Sequence, residues 1–152
     1  MPKNREIERK FLVASDAYMA QATESHEIKQ GYLCKEPERT IRVRIRDNKA
    51  FLTIKSSVGQ VGFTRFEWER EIDPNDAQEM LKACLPGVIE KTRYIIPAGN
   101  SRQWEVDVFR SGKKNGLVLA ELELESEDEA YERPEWLGEE VTGQPEYYNS
   151  NM

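Results

Sequence analysis

The sequence predicts a mainly β (α+β) fold of eight antiparallel strands with a few short helices, and three observations carry that prediction. Eight segments rich in Val, Ile, Thr and aromatic residues follow one another, several of them separated by turn signals such as Asp47-Asn48, Ser57…Gly59 and Gly99-Asn100. Charged side chains recur at every second position within most of these segments, the period of a strand and not of a helix. Helical signals are few.

The predicted strands are Arg5–Val13, Glu27–Leu33, Arg39–Arg46, Ala50–Ser56, Gly62–Ile72, Val88–Pro97, Arg102–Phe109 and Leu117–Glu125. Consecutive strands with short links favour an antiparallel meander, and eight strands can close into a barrel. One helix is expected after Asp73-Pro74, a cap followed by Pro at the first helical position, with Ala77, Met80, Leu81 and Cys84 at helical spacing and Pro86-Gly87 as the stop. Ser126-Glu127-Asp128-Glu129 matches a capping box and predicts a short helix ending before Pro134. A turn or two is expected within Asp16–Thr23. Trp136, Leu137 and Val141 should dock the tail on the body, and Trp104 and Trp136 read as core.

The 152 residues, with no repeat, low-complexity tract or linker, read as one domain spanning 1–152. No apolar run reaches the roughly 20 residues that span a bilayer, and Met1–Glu6 leads in without an apolar signal segment. Cys34 and Cys84 form no C-x-x-C pair, which argues against a disulfide scaffold or a thiolate zinc site and for a reducing cytoplasm. The net charge of −6, from 28 acids and 22 bases, is the wrong sign for a general nucleic-acid binder. A Walker-type phosphate loop is excluded, because Gly112-Lys113 lacks the required Gly at the position of Asp107. His26 matches no motif and reads as an incidental surface residue.

The informative rows are Glu6, Glu8 and Lys10; Arg42, Arg44 and Arg46; Arg65, Glu67, Glu69 and Glu71; Lys91 and Arg93; Glu105 and Asp107; and Glu121 and Glu123. Each row shares one face of its strand. A sheet with one solvated face would produce such alternation. So would a barrel with the charges turned inward. Sorting of the charge by strand, and Arg at i, i+2 spacing, favour convergence on oxyanions. In a closed tunnel the acids could hold a hard divalent cation and the bases a polyphosphate. The alternation alone does not say which face is inside.

Glu6-Ile7-Glu8-Arg9-Lys10 resembles the E-x-E-x-K signature of the CYTH domain, or triphosphate tunnel metalloenzyme, family. The resemblance continues in order through Gln30-Gly31-Tyr32-Leu33, Arg42-Val43-Arg44, Leu52-Thr53-Ile54-Lys55, Arg65-Phe66-Glu67-Trp68-Glu69, Lys91-Thr92-Arg93, Trp104–Phe109 and Ala120–Glu123. The tail Trp136-Leu137-Gly138-Glu139-Glu140-Val141-Thr142 is similar to that of bacterial members, so the resemblance covers essentially the whole chain.

It implies an eight-stranded antiparallel closed β-barrel, a tunnel, with Mg²⁺ or Mn²⁺ as cofactor and a small-molecule triphosphate as substrate. Carried over by position, Glu6, Glu8, Glu121 and Glu123 are the metal-side acids. Lys10, Arg42, Arg44, Lys55, Arg65, Lys91 and Arg93 hold the triphosphate. Glu8, Lys91, Glu67 and Asp107 are the catalytic candidates, with Glu69 completing the acidic lining. Arg46 and Glu71 extend their rows, either at the tunnel mouth or, the favoured reading, as ordinary surface charges.

The leading activity is hydrolysis of inorganic triphosphate to pyrophosphate and phosphate. A class IV type adenylate cyclase, a thiamine triphosphatase and a non-catalytic polyphosphate- or nucleotide-binding module are the alternatives. The expected setting is a cytoplasmic monomer or homodimer without nucleic-acid or membrane partners.

Overall fold

Eight of the strands form where β-branched and aromatic residues alternate with polar and charged ones over seven to thirteen residues, and they pair antiparallel into a closed barrel. The computed structural model describes residues 5–62 and 64–148, without the side chains of Arg5 and Glu6. Nine strands are seen: β1 (Arg5–Val13), β2 (Glu24–Glu36), β3 (Arg39–Arg46), β4 (Lys49–Ser56), β5 (Thr64–Ile72), β6 (Ile89–Gly99), β7 (Arg102–Phe109), β8 (Val118–Leu124) and β9 (Leu137–Glu140). All pairings are antiparallel, in the order β5-β4-β3-β2-β6-β7-β8-β1, and β1 pairs back on β5 to close an eight-stranded barrel.

β9 was not anticipated. On one edge β1 pairs with β8 over Ile7–Leu12. On the other, β5 covers only Arg5–Ile7, and β9 takes over at Phe11 and Val13. The ninth strand therefore mends the wall where β5 diverges. Gly138 permits this approach, because a Cβ there would lie 2.9 Å from the Leu12 carbonyl oxygen.

Three predicted strands match the observed bounds; the others shift, and β2 gains residues at both ends around a bulge between Tyr32 and Cys34. Helix α2 (Pro74–Ala83) is capped as expected, the Asp73 carboxylate accepting from the Asn75 N–H at 2.7 Å. A four-residue helix α1 (Tyr18–Gln21) fills the link after β1.

The helix expected after Ser126 does not form. The Ser126 hydroxyl turns to Asp128 at 2.8 Å, and the Glu129 carboxylate accepts from the Glu125 N–H and from Arg102 at 2.7 and 2.6 Å. Tyr131 then packs edge-on against Phe11 and Trp104, which draws the chain out along the sheet.

The largest part of the apolar core lies outside the barrel. Phe11, Ile96, Trp104, Val106, Ala120 and Leu122 face outward and are covered by Tyr18, Trp136 and Leu137. On the opposite side α2 lays Ala77 and Leu81 over Val43 and Ala50. Trp104, Trp136 and Val141 are buried, so the tail docks as the sequence suggests. With its hydrophobic face wrapped outward, the barrel is left with the charged rows inside.

Candidate active site

Residues directly opposite in an antiparallel pair share a face, and the register links the charged rows around the whole barrel. Glu8 opposes Glu123 and Lys10 opposes Glu121. Glu121 opposes Glu105, and Asp107 opposes Arg93. Gln30 and Tyr32 oppose Arg44 and Arg42, and Arg42 opposes Thr53. Thr53 and Lys55 oppose Glu69 and Glu67, and Arg65 meets the backbone of Glu6. The Glu6 side chain lies outside the described residues.

Bases therefore occupy one arc, β4-β3-β2-β6, and acids the other, β7-β8-β1-β5. Lys10 and Arg65 are the cations within the acidic arc.

The basic arc is the drier one. Arg42, Arg44, Lys91 and Arg93 are buried together with Asp107. Asp107 accepts from Arg93 Nε and Nη2 at 2.7 and 2.8 Å and pairs with Lys91 Nζ at 2.6 Å. Burial alone would raise its pKa, but Arg93 and Lys91 outweigh burial and hold it well below the usual carboxylate range. Burial pushes Lys91 down to about 7 despite the attraction of Asp107. Burial, then repulsion from Arg42 and Arg93, takes Arg44 down to about 9. Arg44 is oriented by Gln30, whose Oε1 accepts from its Nε at 2.7 Å. Arg42 Nη2 reaches Thr53 Oγ1 at 3.3 Å and Glu69 at 3.7 Å.

The acidic arc is wetter. Arg65 bonds Glu8 at 2.9 Å, Lys55 lies 3.7 Å from Glu67, and Lys10 lies 3.5 Å from Glu121. Burial would raise the Glu121 pKa; Lys10 and a hydrogen bond with Glu8 hold it well below the ordinary value. Glu8 acts on Glu121 from the neighbouring strand and also opposes a third acid, Glu123. That oxygen-only donor set fits a hard divalent cation. Among the described residues no three His, Cys, Asp or Glu side chains close on one point to hold an ion unaided.

The cleft between the arcs is lined by Glu8, Lys10, Tyr32, Arg42, Lys55 and Arg65, among others, and encloses about 390 Å³ including its open mouth. Beyond Lys10, Lys91, Asp107 and Glu121 the same interior rows turn apolar, as Leu12, Ile89, Phe109 and Leu119. Tyr147 packs against this apolar end, and its carbonyl accepts from Lys10 Nζ at 2.8 Å.

Several lining residues had no role assigned from sequence. Gln30 and Tyr32 stand two apart on β2, a spacing that puts them in one row. Thr53 precedes Lys55 in the same way. Tyr148 arrives from the tail, and no local pattern points to it. Of the row ends, Arg46 is half-buried and stacks on the Phe51 ring at 5.0 Å, whereas Glu71 is exposed. His26 is held between Asp47 at 2.6 Å and Glu24 at 3.0 Å.

The sequence profile of the CYTH domain matches residues 4–150. An inorganic triphosphatase of Acetivibrio thermocellus is 42% identical over 149 residues, covering 97% of this chain and 92% of the relative. An inorganic triphosphatase of Nitrosomonas europaea is 37% identical over 151 residues, covering 97% and 95%. A crystallised inorganic triphosphatase superposes with a TM-score of 0.64 at 35% identity, covering 96% of this chain and 92% of that one. With the inward charge rows, the closed barrel and these relatives in agreement, the chain belongs to the CYTH domain family.

Proposed function

We propose that this chain is a cytoplasmic hydrolase that cleaves inorganic triphosphate to pyrophosphate and phosphate inside the tunnel, with Mg²⁺ or Mn²⁺ as cofactor. The observation that carries the reading is the division of the interior into facing acidic and basic arcs. A linear polyanion satisfies the basic arc, and the acidic arc then needs a cation to tolerate it. A binding module for anions alone would gain nothing from the carboxylates.

In this reading Arg42, Arg44, Lys55, Lys91 and Arg93 hold phosphoryl oxygens from one side, and Lys10 and Arg65 from the other. Glu6, Glu8, Glu121 and Glu123 would hold the cation, which would supply positive charge to offset that of the phosphoryl oxygens. Lys91 and Arg93, fixed by Asp107, supply positive charge where it builds up on the oxygens during displacement. Glu8 and Glu67, beside Arg65 and Lys55, orient the attacking water and take its proton. Most of the catalytic effect is then positioning and preorganised charge.

The test is a panel of inorganic triphosphate, ATP and thiamine triphosphate with Mg²⁺ or Mn²⁺, scoring phosphate and cyclic product separately. The expected result is a higher specificity constant for inorganic triphosphate, loss of activity with a chelator, and a drop of orders of magnitude in Glu121→Gln. Full turnover without metal, or cyclic AMP and pyrophosphate as the main products from ATP, would refute it.

A further inference from the structure

Gln30 is fully buried on the tunnel face of β2, between Arg44 on one neighbouring strand and Ile89 on the other. The Arg44 Nε can only donate, so the carboxamide must turn its oxygen toward it, as the 2.7 Å contact shows. That leaves the Nε2 amide protons pointing elsewhere, and Nε2 has no hydrogen-bond partner among the described residues. Ile89 offers nothing to accept them. Leaving a buried donor unmet is costly, so such a group calls for an acceptor. The Nε of Arg42, two positions along the neighbouring row, is buried and unmet in the same way. Two orphaned donors and the Arg44 guanidinium thus border one stretch of the tunnel wall.

We infer that Gln30 is a ligand of the bound triphosphate, its Oε1 fixing Arg44 while its Nε2 donates to a phosphoryl oxygen. The role rests on the reading of the tunnel as a triphosphate site and adds a specific residue to it. Its chemistry also explains why an amide stands here. A carboxylate at position 30 would hold Arg44 equally well, but it would cancel the charge on Arg44 and repel the phosphate. The amide orients the guanidinium and leaves its charge for the substrate.

Gln30→Glu separates the two halves of the role, because the acceptor for Arg44 survives while the donor is lost and a negative charge is gained. Without ligand, its melting temperature should equal or exceed that of the parent protein. Its KM for inorganic triphosphate should rise by about tenfold or more, as expected for a lost hydrogen bond to a charged group. The melting shift produced by triphosphate should shrink accordingly. Gln30→Met, which cannot pair with Arg44, carries the same expectation for KM should the Glu variant be unstable.

A parent protein that binds triphosphate while both variants bind it as tightly would overturn the role of Gln30 and leave the tunnel reading intact. A parent protein indifferent to triphosphate would overturn both.

Discussion

Replacing Asp107 by Asn tests the electrostatic frame of the tunnel more sharply than any change at its mouth. Asp107 is 2% exposed and is the one carboxylate among the described residues buried as deeply as the cations around it. Asn keeps the size and one oxygen, enough to accept from Arg93 Nε. Its amide nitrogen would then face Arg93 Nη2 or Lys91 Nζ, donor against donor, at positions now 2.8 and 2.6 Å from a carboxylate oxygen. Removing one partner of a buried ion pair costs about 3–5 kcal/mol, a large share of the roughly 5–15 kcal/mol that holds a domain together.

The cost should depend on pH, and its sign follows from Lys91. Its pKa already stands at about 7, and loss of Asp107 lowers it further. Raising the pH lets Lys91 shed its proton and relieves the clash, whereas Arg93 stays charged throughout. The deficit should therefore be largest near pH 6 and shrink toward pH 9. Urea unfolding of both proteins across this range, with and without sulfate, measures it. Sulfate should recover part of the loss by standing in for the missing anion. A deficit below about 1 kcal/mol at pH 6 would show that the cluster is solvated and the closed, dry wall is wrong.

Two further outcomes follow from the basic arc. Arg42→Ala should weaken triphosphate binding by about 1.5–3 kcal/mol, with Arg42→Lys recovering only part because the planar fork is lost; titration calorimetry reading no change in either variant would place Arg42 outside the site. Binding should also take up protons above pH 7, because a polyanion restores the ammonium form of Lys91; affinity then falls as pH rises. Calorimetry in two buffers of different ionisation enthalpy should show this uptake in the parent protein and less of it in Lys91→Met, and equal uptake in both would refute it.

How far the sequence speaks for the structure depends on the range of the force involved. The bounds of β1, β3 and β7 were legible to the residue because their alternation is strict and each side chain is committed to one face. β9 was not, because Leu-Gly-Glu-Glu has no alternation of its own and is a strand only by virtue of the gap beside β1. The helix after Ser126 failed for a related reason. Its local capping signal was genuine, but Arg102 and the Tyr131–Trp104 packing, both distant in sequence, outbid it.

At the site, the charged rows were readable as rows, but their inward direction was not, since both faces of each strand alternate equally well. What settles the direction is the aromatic face. Phe11 and Trp104, on the faces opposite the charged rows, are covered from outside by Tyr18, Trp136 and Leu137. Gln30 stood within a motif but received no role, and Tyr148 was not singled out, because neither carries the charge that made the other rows visible.

The same inside-out arrangement explains how a chain of net charge −6 can present a site for a polyanion. Among the described residues the buried charges are Lys10, Arg42, Arg44, Lys91, Arg93 and Asp107, five cations against one carboxylate. Such a surplus is unfavourable in a dry environment; burial first, and then repulsion from neighbouring cations, lowers the pKa values of Lys91 and Arg44. The surrounding sheet hydrogen bonds and the outer aromatic core hold it in place nonetheless.

A bound triphosphate relieves the surplus without rearranging the wall, so part of the folding stability given up in the empty tunnel returns as binding energy. The acidic arc sets the condition on that return. Glu8, Glu121 and Glu123 stand together on β1 and β8, and a polyanion brought against them would be repelled unless a cation arrives as well. Dependence on a divalent ion is thus a property of the facing arcs themselves, and removing either arc should uncouple anion binding from the metal.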